Sequence, residues 1–295
     1  MPRLLLTGAT GLLGGWIYQD ARLRGWEVIR VTRKPLAGIP SIVTSDQDTP
    51  EELFSRIGEL KPDWLIHCAA ESSAARCELD PVHARQSNVT LTARFAMVAN
   101  QLKCPFLLIS TDMVFRGDRG GYTEEDFPDP VHVYGHSKAH AESVSLSVSH
   151  RQWTVRPSLL LGLSADGTRG YTDSLLRDLQ AGKTITAFSD EFRSAVPAPV
   201  AASLINDMAG KAVPFGLYHL GADDSTDRYS LAVTLAKKLG LPAQQIRSGS
   251  IGEFTGIPAR QSNLTLDSSR LKSALAITHI PGAAAVNGSR PLIII

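Results

Sequence analysis

The segment RLLLTGATGLLG (residues 3–14) decides the fold of this chain. Its apolar start is typical of a short buried strand, and the apolar residues Trp16, Ile17 and Leu23 beyond it indicate a helix. Between them lie three glycines in the spacing GxxGxxG, in a strand, turn and helix context that predicts dinucleotide binding. The first glycine allows a tight turn, the second lets the backbone approach a pyrophosphate, and the third lets the helix pack closely on the sheet. The alternative is a glycine-rich turn without a ligand.

The same turn supplies the first candidate cofactor contacts, because amide groups at a helix N-terminus bind anions. These candidates are Gly8, Thr10, Gly11, Leu12, Leu13 and Gly14. A later predicted strand, residues 62–70, ends in the small residues Ala69 and Ala70. Small residues at that point would let the chain pass close to the same cofactor, so both are also candidate contacts.

The end of the second predicted strand, residues 26–31, indicates which dinucleotide binds. An acidic residue there favours a free ribose 2′-hydroxyl, whereas an arginine suits a 2′-phosphate. The chain reads Thr32-Arg33-Lys34, and the first acid that follows is Asp46. The sequence therefore predicts NADP(H), with Arg33 and Asp46 as candidate contacts. NAD(H) remains possible, and Arg33 and Lys34 could instead be solvated loop charges.

Predicted strands alternate with helical patterns along the first half of the chain. Further strands are expected at residues 41–45, 62–70, 105–109 and 153–157. This alternation predicts an α/β fold, a Rossmann-type doubly wound parallel sheet with helices on both faces. We expect residues 1–155 to form the cofactor-binding domain, with part of 196–221 returning to it. Residues 156–295 would mainly form a smaller C-terminal substrate-binding α/β subdomain.

The composition excludes several classes of function. The 295 residues are 43% hydrophobic and 20% charged, with a net charge of +1, which gives no electrostatic footprint for nucleic acid or an anionic membrane. The cysteines Cys68, Cys77 and Cys104 form no CxxC pair, which favours a reducing compartment. No apolar run approaches the ~18 residues of a membrane helix, and the N-terminus lacks a secretory apolar region. The sequence predicts a soluble cytoplasmic protein.

Two polar motifs predict the catalytic centre. Residues 109–115 (ISTDMVF) follow an apolar strand, so their hydroxyls would lie at the carboxyl edge of the sheet, where open α/β folds bind ligands. Tyr134 and Lys138 are four residues apart, which places both on one face of a helix. A hydroxyl, a phenol and an ammonium that converge there could deliver a proton. Alternatively, Thr111 only caps a strand end. Asn88, a further candidate for the centre, could likewise only cap a helix.

The histidines His132, His136 and His140 recur every fourth residue, a spacing that could suit a metal. His136, however, lies two residues from Tyr134, which is about 200° around a helix, so it would face away from the expected centre. We expect solvated or hydrogen-bonded histidines and no catalytic metal.

Several motifs together resemble the extended short-chain dehydrogenase/reductases (SDR), and within them the dTDP-4-dehydrorhamnose reductase-like branch. They are the glycine turn at 8–14, STDMVFRG at 110–117, YTEED at 122–126, YGHSK at 134–138, and the stretch from Ala69 to Glu78 that leads to Asn88. The resemblance is dense over the first half and thinner afterwards, at 190–197 and 258–262.

The resemblance implies roles for the motif residues. Tyr134 would be the general acid that protonates a ketone oxygen, and Lys138 would favour the phenolate and hold the nicotinamide ribose. A free phenol has a pKa of about 10, so such help is needed near neutral pH. Thr111 would bind the substrate carbonyl, and Asn88 would support the site. Ser110 would lie at the cofactor, and Ser110 or Asp112 could contact sugar hydroxyls.

The resemblance further implies a cytoplasmic NADPH-dependent oxidoreductase that reduces the 4-keto group of a nucleotide-activated 6-deoxysugar in carbohydrate biosynthesis. The alternatives are a nucleotide-sugar epimerase or dehydratase on the same scaffold, and a non-catalytic NADP-binding subunit such as the methionine adenosyltransferase beta subunit. Met113 departs from the aromatic residue common in the family and could reshape the sugar pocket. Arg156 and Arg260 are candidate diphosphate contacts, with a structural ion pair as the alternative for each. A homodimer is possible, and the tail 283–295 fits no pattern.

Overall fold

The structure, a computed structural model, describes residues 1–35, 41–45, 48–211 and 213–291. The first six strands, all in the main sheet, are β1 Arg3–Thr7, β2 Glu27–Thr32, β3 Ser41–Val43, β4 Trp64–His67, β5 Phe106–Ile109 and β6 Gln152–Pro157. The later strands are β7 Leu160–Leu161, β8 Ile185–Phe188, β9 Phe192–Arg193, β10 Val196–Pro197, β11 Gly216–Leu220, β12 Thr226–Asp227 and β13 Ile246–Gly249.

Helices connect and cover these strands. The α-helices are α1 Leu12–Leu23, α2 Pro50–Ile57, α3 Ala74–Leu79, α4 Pro81–Arg85, α5 Leu91–Gln101, α6 Val133–Val148, α7 Tyr171–Gln180, α8 Ala198–Gly210, α9 Arg228–Lys238 and α10 Ser269–Leu275. A π-helical turn at Gln86–Thr90 joins α4 to α5, and short 3₁₀ turns include Gly58–Leu60 and Asp112–Val114.

The central sheet has seven strands in the order β11-β6-β5-β4-β1-β2-β3, and each neighbouring pair is parallel. The chain moves outward from β1 to β3, returns to β4 on the other side of β1, and then continues to β6. This doubly wound parallel sheet confirms the predicted Rossmann-type α/β class.

Both faces of the sheet are buried. Side chains alternate along a strand, so Leu4 and Leu6 of β1 pack in the core with α1 and α8, whereas Leu5 packs in the opposite core with α2 and α5. All three leucines are fully buried. A parallel strand covered on both sides reads as a continuous apolar run, which explains the RLLLT sequence.

The C-terminal half contributes to the main sheet and also forms a core of its own. Helix α8 packs against α1, and β11 pairs with β6 at the sheet edge. A separate core contains α7, α9 and the parallel pair β8 and β13. The functional division into residues 1–155 and 156–295 stays a proposal.

Several predicted strand boundaries differ from the structure. The predicted strand at 41–45 ends at Val43, and the predicted strand at 62–70 spans only Trp64–His67. In the described parts of the chain, no helix is both long and apolar enough to cross a membrane.

The third glycine of the motif allows the closest contact between α1 and the β1 turn. A Cβ atom at Gly14 would lie 2.2 Å from the carbonyl oxygen of Gly8, which belongs to rigid backbone. We therefore expect Gly14→Ala to destabilise the protein by about 1–3 kcal/mol through overpacking, as measured by urea unfolding.

Gly58→Ala is the matched control. The nearest atom to a Cβ there lies 3.7 Å away, and Gly58 has a helical φ of −59°. This substitution should be neutral or slightly stabilising. Equal stability of the two variants would contradict the assigned role of Gly14.

Candidate functional site

Hydrogen bonds join the carboxyl ends of β1 and β4 beside the glycine turn. The Thr7 hydroxyl oxygen accepts hydrogen bonds from the backbone N–H groups of Cys68 at 3.2 Å and Ala69 at 3.1 Å. It also lies 2.9 Å from His67 Nδ1. A Cβ atom at Gly8 would lie 2.7 Å from the Ala69 nitrogen, so a glycine is needed for this close approach. The predicted contacts at 8–14 and 69–70 therefore lie side by side at one edge of the sheet.

His67 belongs to this hydrogen-bonded group, and no role was predicted for it from sequence. Because the Thr7 oxygen already accepts two N–H donors, its own proton is assigned to His67 Nδ1, and the neutral imidazole then carries its proton on Nε2. The ring packs against Phe95 in a tilted arrangement and stacks on Phe106, with centroids 5.2 and 6.0 Å away. Burial lowers the pKa of His67 to about 3. The imidazole is thus neutral whenever the protein is folded near neutral pH.

Helix α6 carries the predicted proton-delivery pair. Tyr134 and Lys138 lie one turn apart and are only 8% and 2% exposed. Glu142 lies a further turn along, and its negative charge acts to raise the pKa of Lys138. Lys138 also acts electrostatically on His67 and Cys68 at the end of β4. The lysine therefore lies between the phenol and the β1–β4 edge.

Glu142 fixes α6 to the two neighbouring strands. Its carboxylate accepts hydrogen bonds from Arg156 Nε at 3.0 Å and Nη2 at 2.7 Å, and also from the Ser110 hydroxyl. The Arg156 side chain is 3% exposed. Arg156 thus forms the structural ion pair that the sequence left as the alternative, and its role as a diphosphate contact stays a prediction. Ser110, a predicted cofactor contact, is likewise engaged with Glu142.

Burial sets the protonation states of the pair. It raises the pKa of the Tyr134 phenol well above its usual value, and the negative charge of Asp112 adds to this. It lowers the pKa of Lys138 to about 8, against the influence of Glu142. The resemblance implies that Lys138 favours the phenolate, and this stays a prediction. Burial is the largest influence on the pKa of Tyr134 and raises it, so Tyr134 is a protonated phenol at neutral pH.

The STDM motif turns sharply after β5. Thr111 caps the 3₁₀ turn Asp112–Val114 by accepting a hydrogen bond from Met113 N at 3.2 Å. The Thr111 hydroxyl acts on the Tyr134 phenol and lowers its pKa, against the larger effect of burial. A Cβ atom at Gly135 would lie 2.2 Å from the Met113 carbonyl oxygen, so Gly135 allows α6 to approach this turn. The structure therefore brings Thr111, Tyr134 and Lys138 together.

Asn88 supports the centre from the π-helical turn. Its amide oxygen accepts from Glu71 N at 2.8 Å, and its amide nitrogen donates to Glu71 O at 3.1 Å and to the Ser137 hydroxyl at 2.9 Å. Ser137 in turn donates to the Tyr134 carbonyl oxygen at 2.7 Å. Asn88 thus links the loop after β4 to the first turn of α6, and π-turns are frequent at functional sites.

Two clefts lie near the predicted contacts. A cleft of ≈ 230 Å³ is lined by Ala74, Ala75, Met113, Arg193, Ile257, Pro258, Ala259, Arg260 and Gln261. Another of ≈ 440 Å³ lies at the ends of β2 and β3 and is lined by Arg33, Val43, Thr44, Ser45, Asp48 and Arg56. Arg33 thus lines a cleft, and its role as a cofactor contact stays a prediction, whereas Asp46 lies outside the described residues.

Arg260 lines the first cleft beside Met113. Its guanidinium lies over the rings of Phe254 and Phe188, 4.7 and 5.4 Å from their centroids, and Nη1 is 3.8 Å from Glu191. Arg260 therefore lies near an acidic partner and also lines a cleft, and its role as a diphosphate contact stays a prediction. No role could be predicted from sequence for Glu142, Glu191 and Arg193, because each acts through partners distant in sequence and none belongs to a short motif.

The three spaced histidines have separate environments. His132 caps α6, accepting from Gly135 N at 3.1 Å, and its Nε2 lies 3.1 Å from Gln261 Oε1. His136 and His140 are exposed on α6. In the described ranges, no group of three side chains suited to a metal ion is found.

A family model described as RmlD substrate binding domain matches residues 2–286. Methionine adenosyltransferase 2 subunit beta of Rattus norvegicus is 27% identical over 278 residues, covering 92% of this chain and 82% of that protein. The dTDP-4-dehydrorhamnose reductase of Aggregatibacter actinomycetemcomitans is 26% identical over 289 residues, covering 94% of each.

Among solved structures, the dTDP-4-dehydrorhamnose reductase of Bacillus anthracis in complex with NADP superimposes with a TM-score of 0.84 at 22% identity, covering 96% of both chains. At this identity the structure shows a shared fold.

The neutral state of His67 makes stability depend on pH. Its pKa is about 3 in the folded protein and 6.5 as a free group, so between these values the unfolded chain binds a proton that the folded protein does not. Stability is therefore full above pH 6.5 and falls as the pH drops below it, by about 1.4 kcal/mol per pH unit for one such group.

His67→Asn keeps a hydrogen-bond acceptor for Thr7 but cannot titrate. We expect its free energy of unfolding to fall less steeply than that of the wild type between pH 6.5 and 4.5 in urea denaturation. His219, whose pKa burial lowers to about 4, contributes to the slope of both proteins. Parallel curves for the two proteins would contradict the neutral buried state of His67.

Proposed function

The chain belongs to the RmlD substrate binding domain family, and from this premise we propose that it is an NADPH-dependent reductase of a nucleotide-activated keto sugar. The observation that carries the proposal is the buried constellation of Tyr134 and Lys138 on α6 facing Thr111 at the carboxyl edge of the sheet. The class of substrate follows from the dTDP-4-dehydrorhamnose reductases with which the chain shares sequence and fold.

The N-terminal turn fits a dinucleotide. Gly8 and Gly14 leave no space for side chains where β1 passes into α1, and the first turn of α1 contains no acidic residue that would repel a pyrophosphate. We assign the cofactor to residues 8–14 and 69–70, with Arg33 contributing a positive charge at the second cleft. When bound, NADPH supplies the hydride for the reduction.

Tyr134 supplies the proton. Because burial and the negative charge of Asp112 raise its pKa, the phenol is protonated at neutral pH and can donate to an oxygen that becomes negatively charged. Lys138, one turn along, supplies a positive charge that stabilises the phenolate left after donation. Thr111 lies beside the phenol and would bind the same substrate oxygen. Met113 and Arg260 line the cleft beside Thr111, where the sugar and its diphosphate would lie.

A second candidate is a non-catalytic NADP-binding subunit. It is favoured by the 27% identity to methionine adenosyltransferase 2 subunit beta over most of this chain. Such a protein would bind the cofactor without turning over a sugar, and the buried phenol would have only a structural role.

The test is NADPH consumption with dTDP-4-keto-6-deoxyhexose by the wild type and by Tyr134→Phe. Loss of the phenol removes the proton donor, so we expect turnover to fall by roughly 10²-fold or more while NADPH still binds. Tyr229→Phe, in the separate core of α7 and α9, is the control and should retain wild-type turnover.

Full activity of Tyr134→Phe would contradict the role of the phenol. If the wild type binds NADPH but turns over none of a panel of nucleotide keto sugars, the subunit function is supported instead.

A further inference from the structure

The loop between β7 and α7, residues 162–170, lies against α1 and the glycine turn. The Trp16 indole Nε1 on α1 donates a hydrogen bond to the Leu163 carbonyl oxygen at 3.3 Å. At the other end of the loop, Gly170 has a φ of +89°, and a Cβ atom there would lie 2.9 Å from Leu12 Cδ2. Leu12 is the first residue of α1. Both ends of the loop therefore contact α1, and one of them packs on the turn assigned to the cofactor.

This contact bears on anion binding because the first turn of α1 has uncapped amide groups. Gly11, which precedes the helix, has no side chain that could accept hydrogen bonds from them, and no acidic residue lies in the first turn. The backbone N–H groups at such a helix end lack a helical partner and can bind a phosphate. Since the loop packs on the Leu12 side chain, it fixes the orientation of these amide groups.

A fully buried carboxylate holds the loop in place. Asp173 Oδ2 on α7 accepts hydrogen bonds from the Ser164 backbone N–H at 2.8 Å and from the Ser164 hydroxyl at 2.5 Å. The neighbouring Thr172 hydroxyl accepts from the Gly162 N–H at 2.9 Å. The Asp173 side chain has 0% exposure. A carboxylate at this depth needs a positive partner, because an unpaired buried charge is strongly destabilising.

The positive partner of Asp173 is Arg290. Its Nη1 lies 3.0 Å from Asp173 Oδ1 and also donates to the Ser164 carbonyl oxygen. The same guanidinium lies against the loop, where a Cβ atom at Gly167 would be 3.2 Å from Nη1. Val286, buried in the core of α7 and α9, anchors the segment that carries Arg290. The family model matches residues 2–286, so the match does not include this contact.

We propose that Arg290 is a positioning residue for the cofactor. Through Asp173 and Ser164 it holds the loop at 162–170 against the first turn of α1, and so keeps the dinucleotide site in its binding form. The segment 287–291, for which no role was predicted from sequence, is then part of the cofactor site. The role of the first turn rests on the proposed function. The position of the loop does not, and it can be measured without cofactor or substrate.

The first measurement reports the position of the loop. In protein labelled with ¹⁵N-tryptophan, exchange of the Trp16 indole proton with solvent reflects its hydrogen bond to Leu163. The Trp153 indole, which donates to the Val213 carbonyl oxygen at 3.0 Å, is the internal control, because it lies near the amino end of β6, away from the site. Arg290→Ala should speed exchange at Trp16 by about 10-fold or more, since local opening becomes easier, and leave Trp153 unchanged.

The second measurement is the dissociation constant of NADPH, followed by the fluorescence of the cofactor. If release of the loop leaves about one tenth of the molecules competent to bind, the apparent Kd of Arg290→Ala rises about 10-fold. Arg177→Ala is the matched control. It removes an exposed arginine of α7 whose side chain donates to Ser174 on the same helix. Its Kd should equal that of the wild type.

A second variant covers the case that Arg290→Ala fails to fold because Asp173 is left without its partner. When Arg290→Ala is combined with Asp173→Asn, no buried charge stays unpaired, yet the loop still lacks its ion pair and the Ser164 carbonyl oxygen its donor. This double variant should show the same faster exchange at Trp16 and the same weaker binding of NADPH.

Unchanged exchange at Trp16 in both variants would overturn the proposal, because Arg290 would then not hold the loop. Faster exchange with an unchanged Kd would also contradict it, since the loop would then not position the cofactor. A wild type that binds no NADPH would refute both this proposal and the proposed function. A wild type that binds NADPH but turns over no keto sugar would contradict only the proposed reductase, and both measurements would still decide the role of Arg290.

Discussion

The buried pair between Glu142 of α6 and Arg156 of β6 is the interaction on which the site depends. Two hydrogen bonds at 2.7 and 3.0 Å join a carboxylate to a guanidinium whose side chain is 3% exposed. Breaking such a pair by removing one partner typically costs about 3–5 kcal/mol, because a buried charge is left uncompensated. Since Glu142 lies two turns beyond Tyr134, the pair sets both the rotation of α6 and the depth of the phenol.

The sheet edge supplies the other half of the site. The Thr7 hydroxyl accepts hydrogen bonds from the backbone of Cys68 and Ala69 and so joins them to the end of β1. The charge of Lys138 acts on the Cys68 thiol at the same strand end. The glycine turn, the small residues after β4 and the charged face of α6 therefore converge although they are distant in sequence. A parallel sheet makes this possible, because the carboxyl ends of its strands all lie at one edge.

The fold and the central constellation could be predicted because their signals are local. The GxxGxxG turn, the alternation of strands and helices, and the four-residue spacing of Tyr134 and Lys138 each lie within a short segment. Ion-pair partners escaped prediction because they are far apart in sequence: Arg193 reaches Asp112 from the C-terminal half. The burial of the phenol also escaped prediction, since helical spacing shows which charge is near but not how deeply the group is buried.

Transfer of deuterium from [4-²H]NADPH to a nucleotide-activated 4-keto-6-deoxysugar tests the account most directly. The isotope label reports formation of the new C–H bond itself, and ²H NMR of the product locates it. If the site is a reductase, deuterium from one face of the nicotinamide should appear on the carbinol carbon formed from the ketone. A wild-type protein that binds NADPH and the nucleotide sugar together, yet transfers no deuterium, would contradict the account.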